Sequence, residues 1–130
     1  MPFQLTNPAG VAPPIGTYSH AATITGGRLL FISGQGPLDE RGALVGPGDL
    51  IRQAEQVFEN IRRILAASGA SFRDVAKMNI YLTDFSRRQE LGALRARLFG
   101  SHAPVSTAVE ISRLAIPEWL IEIECVAVLP

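Results

Sequence analysis

Two glutamates lie two residues apart inside an apolar segment near the C-terminus. Residues 119–128 have the composition of a β-strand, and side chains alternate between the two faces of a strand, so Glu122 and Glu124 share one face. A carboxylate among apolar neighbours is costly unless it is hydrogen-bonded, paired or used. The pair therefore indicates either proton-transfer chemistry or a structural pairing with a cation across a sheet or interface.

Three hydroxyl-bearing residues are the other candidates for ligand contact, because each lies in or at the end of a predicted strand. They are Tyr18, Ser33 and Ser106. Each also has a purely structural explanation: Ser33 as a turn residue, Tyr18 as an amphipathic wall, and Ser106 as a polar residue on a strand face.

No cofactor or metal motif is present. Gly34-x-Gly36 is not followed by the glycine and helix start of a dinucleotide site. His20 and His102 lack the spacing of metal ligands. Cys125 lies on the strand face opposite the glutamates, which predicts a buried structural thiol. We expect neither a metal nor a cofactor.

Composition narrows the class of protein. The 130 residues predict one domain, residues 1–130, with a real core, since 47% are hydrophobic and 18% charged. Lys+Arg 12 and Asp+Glu 12 cancel, which argues against nucleic acid as a partner. The single cysteine fits a reducing cytoplasm. Residues 1–10 do not resemble a secretory signal, and no apolar run approaches the roughly 20 residues that span a bilayer, so we expect no membrane association.

The N-terminal third predicts an arm followed by two strands. The first 15 residues, rich in Pro and Gly, predict an irregular arm. Residues 18–25 and 28–33 predict strands, with Gly26-Gly27 as a hairpin turn between them. The second strand is apolar on both faces, which predicts a central position in the sheet.

The rest of the chain predicts two helices and three strands. A helix from Asp49 as N-cap to Gly69 has one apolar face, and residues 75–83 follow as a strand. A second helix, residues 86–100, begins with a capping box of Ser86 and Gln89, and residues 105–112 form the next strand. The arginines of this second helix predict a solvated face: Arg87, Arg88, Arg95 and Arg97.

The element order ββ-α-β-α-ββ predicts an α+β fold, a mixed sheet with two helices on one face. No sequence remains to cover the other face. A homo-oligomer that packs sheet faces together is the economical solution, and pockets would then lie at subunit boundaries.

Short segments in a fixed order resemble those of one family. The resemblance extends from about Pro14 to Val128 and is carried by residues 14–19, 31–37, 53–69, 74–77, 81–84, Pro104, 109–110 and 121–128. In this order and spacing they resemble the Rid/YjgF family of small trimeric proteins.

The resemblance implies a chorismate-mutase-like fold of the bacillus type and a homotrimer whose sheets form a central barrel, with ligand clefts at the interfaces. It implies hydrolysis of reactive enamines and imines, such as 2-aminoacrylate, to a keto acid and ammonia without a cofactor. By position, Tyr18 would wall the cleft, Ser33 and Gly34 would line it, and Glu122 would hold and activate a water molecule.

One departure from the family pattern concerns the fourth strand. Deaminating members have an arginine two residues after its proline, which clamps the substrate carboxylate, and often a cysteine two residues later. Here these positions are Ser106 and Ala108. Losing a charge-assisted hydrogen bond costs about 1.5–3 kcal/mol. Arg113 comes too late in the strand to replace that arginine, and Arg28 or Arg95 would need an unusual geometry.

The sequence thus predicts a hydrolytic deaminase of enamines or imines with a non-standard small-molecule substrate bound at a subunit interface. The alternative is a non-catalytic trimer that binds a small metabolite or a partner protein. A third hypothesis is a different reaction in the same cleft.

Overall fold

The computed structural model describes residues 1–130 as an α+β fold with one four-stranded sheet, one two-stranded sheet and two α-helices. The elements in chain order are β1 (Phe3–Thr6), β2 (Ala21–Ile24), β3 (Arg28–Gln35), α1 (Leu50–Ala67), a 3₁₀ turn (Phe72–Asp74), β4 (Val75–Leu82), α2 (Arg88–Phe99), β5 (Val105–Glu110) and β6 (Ile121–Leu129).

The main sheet has the strand order β3-β6-β4-β5. β6 runs antiparallel to both of its neighbours, and β4 and β5 are parallel, so the sheet is mixed as predicted. The predicted central position of β3 is wrong, because this strand pairs only with β6 and forms one edge. Its apolar residues Leu29 and Phe31 are 53% and 72% exposed. They lie on the sheet face away from the helices, which this chain covers only in part.

The N-cap, the apolar face and the end predicted for helix α1 are confirmed. The Asp49 side chain accepts hydrogen bonds from the backbone N–H groups of Ile51 and Arg52, which the first turn of a helix leaves unpaired. The helix ends before Gly69, which has a φ of +74°. Its apolar stripe packs against the inner face of the sheet, and the core is built from Phe58, Ile61, Leu65, Met78, Ile80, Ile121 and Ile123.

Helix α2 begins later than predicted. Arg87, not Ser86, is its N-cap, and no side chain caps it, so the predicted capping box is wrong. The chain instead turns before the helix, where the Asp84 carboxylate accepts from the Ser86 N–H at 2.8 Å. The predicted stop at Gly100 is confirmed.

The N-terminal arm is more ordered than predicted. β1 pairs antiparallel with β2, and β2 does not pair with β3, so the predicted hairpin at Gly26-Gly27 is wrong. Phe3 explains the difference, because it is 2% exposed and packs with Ala76 and Val128 on the open face of the main sheet. Neither helix is long and apolar enough to span a bilayer.

Candidate active site in two parts

The first part of the site lies where β3 meets β6. Ile32 pairs with Cys125 and Gln35 with Ile123, so a bulge at Ser33 and Gly34 interrupts the register. Bulges re-aim side chains and often occur beside functional sites. Ser33 is exposed, and its hydroxyl has no hydrogen-bond partner within the chain.

The Glu122 carboxylate rests directly against Gly34. A β-carbon at position 34 would overlap this carboxylate, so only glycine permits the contact. Glu122 makes no side-chain hydrogen bond, and neither of its oxygens is enclosed. It is therefore a partly buried carboxylate that remains available to water.

Glu124, on the same strand face, has a different environment. It accepts hydrogen bonds from Asn79 Nδ2 at 2.9 Å and Tyr81 Oη at 3.0 Å. These bonds hold the pKa of Glu124 below its usual value, and the same carboxylate raises the pKa of Tyr81. Glu124 therefore belongs to a structural hydrogen-bond network, whereas Glu122 does not.

The second part of the site lies at the opposite edge of the sheet, on β5. Ser19 bridges to Val105, and its hydroxyl donates to the Ala103 carbonyl at 2.6 Å. These contacts bring the adjacent Tyr18 beside the start of β5. The Tyr18 hydroxyl accepts from the Ile15 N–H at 3.3 Å. Ala108 lies further along β5 and is exposed.

Ser106 is hydrogen-bonded to an arginine of α2 that was predicted to face solvent. Arg95 Nη1 donates to Ser106 Oγ at 3.0 Å, and Arg95 is only 8% exposed. The predicted solvated arginine face of α2 is therefore wrong at this position. Position 95 lies four residues after Leu91 and four before Phe99, both buried, so the helical period itself placed this arginine on the inner face.

The two parts of the site do not meet within one chain. β3 and β5 are separated by β6 and β4, a distance of about 14 Å at roughly 4.8 Å per strand spacing. Within the first part, Ser33 and Gly34 line different depressions, of about 420 and 450 Å³, and Ser33 shares its depression with Glu124. The single chain thus places Gly34 against Glu122 and Ser33 beside Glu124, and it separately brings together Tyr18, Ser106 and Arg95.

Two further residues hold the first part in place and had not been singled out from the sequence. The Trp119 ring packs against Gly36, where a β-carbon would overlap it. Gln53, fully buried, accepts from the Leu120 N–H at 2.8 Å and donates to the Glu118 carbonyl at 3.0 Å. Gln53 thereby anchors the start of β6 and, two residues later, Glu122. The sequence signal for this role was the presence of a glutamine, Gln53, on the apolar face of the predicted helix.

Cys125 is buried, as predicted. Burial raises the pKa of its thiol to about 12, so the reactive thiolate is scarce near neutral pH. No group of three or more His, Cys, Asp and Glu side chains is arranged to hold a metal ion.

Comparison with known proteins defines the family. The family model described as endoribonuclease L-PSP matches residues 9–129. A RutC family protein of Pyrococcus horikoshii is 44% identical over 114 residues, 88% of each chain. The 3-aminoacrylate deaminase RutC of Acinetobacter baylyi is 33% identical over 127 residues, 98% of each chain.

Solved structures of the same family are similar to this chain. A Rid family protein of unknown function from Yersinia pestis superposes with a TM-score of 0.89 at 32% identity, covering 99% of this chain and 100% of that one. A putative endoribonuclease from Thermotoga maritima gives a TM-score of 0.74 at 34% identity, covering 98% of each chain. The chain belongs to the Rid/YjgF family, also described as the endoribonuclease L-PSP family, and has its chorismate-mutase-like fold.

Proposed function

We propose that this protein is a cytoplasmic homotrimer that hydrolyses a reactive enamine or imine to a carbonyl compound and ammonia. The observation that carries the proposal is the contrast between the two glutamates. Glu124 is held by two hydrogen bonds, whereas the Glu122 carboxylate is unpartnered, reaches water and lies against Gly34.

The proposed reaction needs a positioned water and a proton carrier. Glu122 accepts a proton from the water as its oxygen bonds to the electrophilic imine carbon. The nitrogen takes this proton, which gives a carbinolamine. Glu122 then removes the proton of the new hydroxyl group and passes it to the amino nitrogen, so that the C–N bond breaks, the carbonyl forms and ammonia leaves. An enamine first gains a proton on carbon and loses one from nitrogen, which converts it to the imine. No electrons are exchanged with a cofactor, so the chain's own residues suffice.

The proposed trimer would unite the two parts of the site. Ser33, Gly34 and Glu122 at the β3 edge of one copy would face Tyr18, Ser106 and Ala108 at the β5 edge of the next. The exposed apolar residues Leu29 and Phe31 support assembly through the open sheet face.

The relatives support this reaction class but not one substrate. One relative is a 3-aminoacrylate deaminase at 33% identity. The family model's description names a ribonuclease, yet Lys+Arg 12 and Asp+Glu 12 balance in this chain, which does not favour a nucleic-acid substrate. Ser106 in place of the expected arginine indicates that the substrate is held differently from those of the deaminating members.

The test is ammonia release from imines generated in situ from a panel of amino acids and neutral amines. Glu122→Gln keeps the size of the side chain and removes the proton acceptor, so we expect kcat to fall about 10²–10⁴-fold. Glu124→Gln is the matched control on the same strand face, and we expect it to retain most activity. Equal rates for Glu122→Gln and the unmodified protein would refute the mechanism.

The alternative is a trimer of the same fold that binds a metabolite or partner without chemistry. In that case no imine of the panel is hydrolysed above the buffer rate. Ligands that raise the melting temperature would then be recovered unchanged.

A further inference from the structure

Arg95 is a buried cation without a counter-charge. Its guanidinium projects from α2 towards β5, and Arg95 is 8% exposed. None of the six ion pairs in the chain includes it. Its one hydrogen bond goes to Ser106 Oγ, and its Nε and Nη2 atoms are enclosed without partners.

Such an arrangement is costly in an isolated chain. Burial lowers the pKa of Arg95, but arginine remains protonated in proteins, so the charge persists. Buried charges normally have a paired anion, and removing one partner of such a pair is strongly destabilising. The uncompensated guanidinium therefore indicates an anion that is absent from the single chain.

The position of Arg95 indicates where that anion binds. Ser106 is paired in register with the buried Met78, so both side chains project from the helix-covered face of the sheet. Ser106 is nonetheless only half-buried, because β5 is the edge strand. Since Ser106 Oγ accepts the hydrogen bond from Arg95, its own O–H is free to donate outward. Tyr18 lies at the same edge.

We propose that Arg95 and Ser106 form an anion-recognition relay, through which the β5 edge binds a small monocarboxylate. Ser106 touches the carboxylate, and Arg95 is the positioning residue that orients the serine hydroxyl and supplies positive charge behind it. The inference deepens the proposed function, on which it rests in placing this edge at the substrate cleft. The substrate would then be a carboxylate-bearing imine, recognised by an arginine that comes from a helix instead of the strand.

Binding can be tested without catalysis by titrating the intact protein with propionate and with propionamide, which differ in charge and little in size. We expect the backbone amide NMR signals of residues 106 and 107 to shift saturably with propionate only. Arg95→Met should weaken propionate binding about tenfold, which is within the range for a hydrogen bond to a charged group. Arg95→Lys should restore part of the affinity, and Ser106→Ala should weaken it without affecting the core.

Three outcomes would overturn the relay: equal responses to both probes, propionate binding unaffected by Arg95→Met and Ser106→Ala, or dissociation of the oligomer by Arg95→Met. The last would show that the anion is a carboxylate of a neighbouring copy. Arg95→Met removes the cost of burying an unpaired charge and keeps a long, flexible side chain that can fill the space, so folding is expected to persist. If Arg95→Met does not fold, the propionate affinity of Ser106→Ala tests the relay in its place.

Kinetics separate this inference from the proposed function. With imines of an amino acid and of its amide, Arg95→Met should raise the ratio of the two KM values, acid over amide, about tenfold, while kcat for the acid changes little. Propionate binding that depends on Arg95, without imine hydrolysis, would leave the relay standing and refute the deaminase. Imine hydrolysis in which Arg95→Met leaves the KM ratio unchanged would support the deaminase and refute the relay.

Discussion

The two edges of the main sheet carry opposite charges and are built in opposite ways. At the β3 edge, the carboxylate of Glu122 is on the sheet itself, reaches water and depends on the backbone space left by Gly34. At the β5 edge, the strand offers only the hydroxyl of Ser106, and the charge comes from Arg95 on α2, buried behind it. One edge is suited to proton transfer and the other to recognition of an anion.

This difference shows that the two tasks can change independently. A carboxylate that moves protons must lie at the reacting atoms, so its position on the strand is narrowly constrained. A cation that recognises a carboxylate can act over a longer reach and from a neighbouring element, provided that a polar group connects it to the ligand. The strand position expected to hold arginine can therefore hold serine while positive charge remains nearby.

Loss of the assembly should have the largest effect, because it would separate the two edges. In the proposed trimer Phe31 is buried, which is worth about 1.5–3 kcal/mol, and a buried aspartate adds a further penalty. Phe31→Asp should therefore give monomers by analytical ultracentrifugation and no detectable imine hydrolysis. Ala66→Asp is the control and should remain assembled, because Ala66 is exposed on α1, on the side of the sheet away from the proposed assembly face. Full activity of a monomeric Phe31→Asp would mean that one chain holds a complete site.

Gly34→Ala should impair only the part of the site at the β3 edge. The added methyl group overlaps the Glu122 carboxylate and must displace it, so we expect a loss of about 10²-fold in kcat, since small misplacements of reacting groups cost this much. Propionate binding at the β5 edge should persist. Gly92→Ala is the control, because nothing lies within 4 Å of a β-carbon there. Equal activity of the two variants would exclude a role for the Glu122 position.

Mixing two inactive variants should reveal that the edges belong to different copies. Glu122→Gln disables one edge, and Ser106→Glu disables the other by placing a carboxylate beside Arg95. If each site combines edges of two neighbouring copies, equal mixtures that reassemble at random should recover about a quarter of the unmodified activity. No recovery, in mixtures shown by mass spectrometry to contain hybrid oligomers, would place both edges of each site in one copy.

Glu124→Gln should have the smallest effect and appear mainly in the pH dependence of stability. Hydrogen bonds from Asn79 and Tyr81 lower the pKa of Glu124, so its contribution is present above its ordinary pKa of 4.5 and is lost as pH falls through the lower folded value. The variant should therefore lose on the order of 0.5 kcal/mol near neutral pH and nothing once Glu124 is protonated. Thermal melts from pH 2 to 7 would detect this, and a loss that is equal at both ends would contradict it.

Much of the fold was predictable because its signals are local. The Asp49 cap, the apolar stripe of α1, the alternation in β4 and the stop at Gly100 each depend on residues within a few positions of one another. The predictions that were wrong required knowledge of distant partners. Gly26-Gly27 indicated a hairpin, but Phe3 holds β1 against β2, and β3 pairs with β6 from the far end of the chain.

The candidate site shows the same division. Residue order alone predicts the family, the strand that carries Glu122 and Glu124, and the face that these residues share, because strand alternation and motif order depend only on positions along the chain. Which glutamate is free depends on contacts between strands, since hydrogen bonds from Asn79 and Tyr81 on β4 engage Glu124 and leave Glu122 unpartnered. Only the packing of α2 on β5 shows that Arg95 is buried against Ser106, because sequence separation does not report which side chains a fold brings within 3.0 Å.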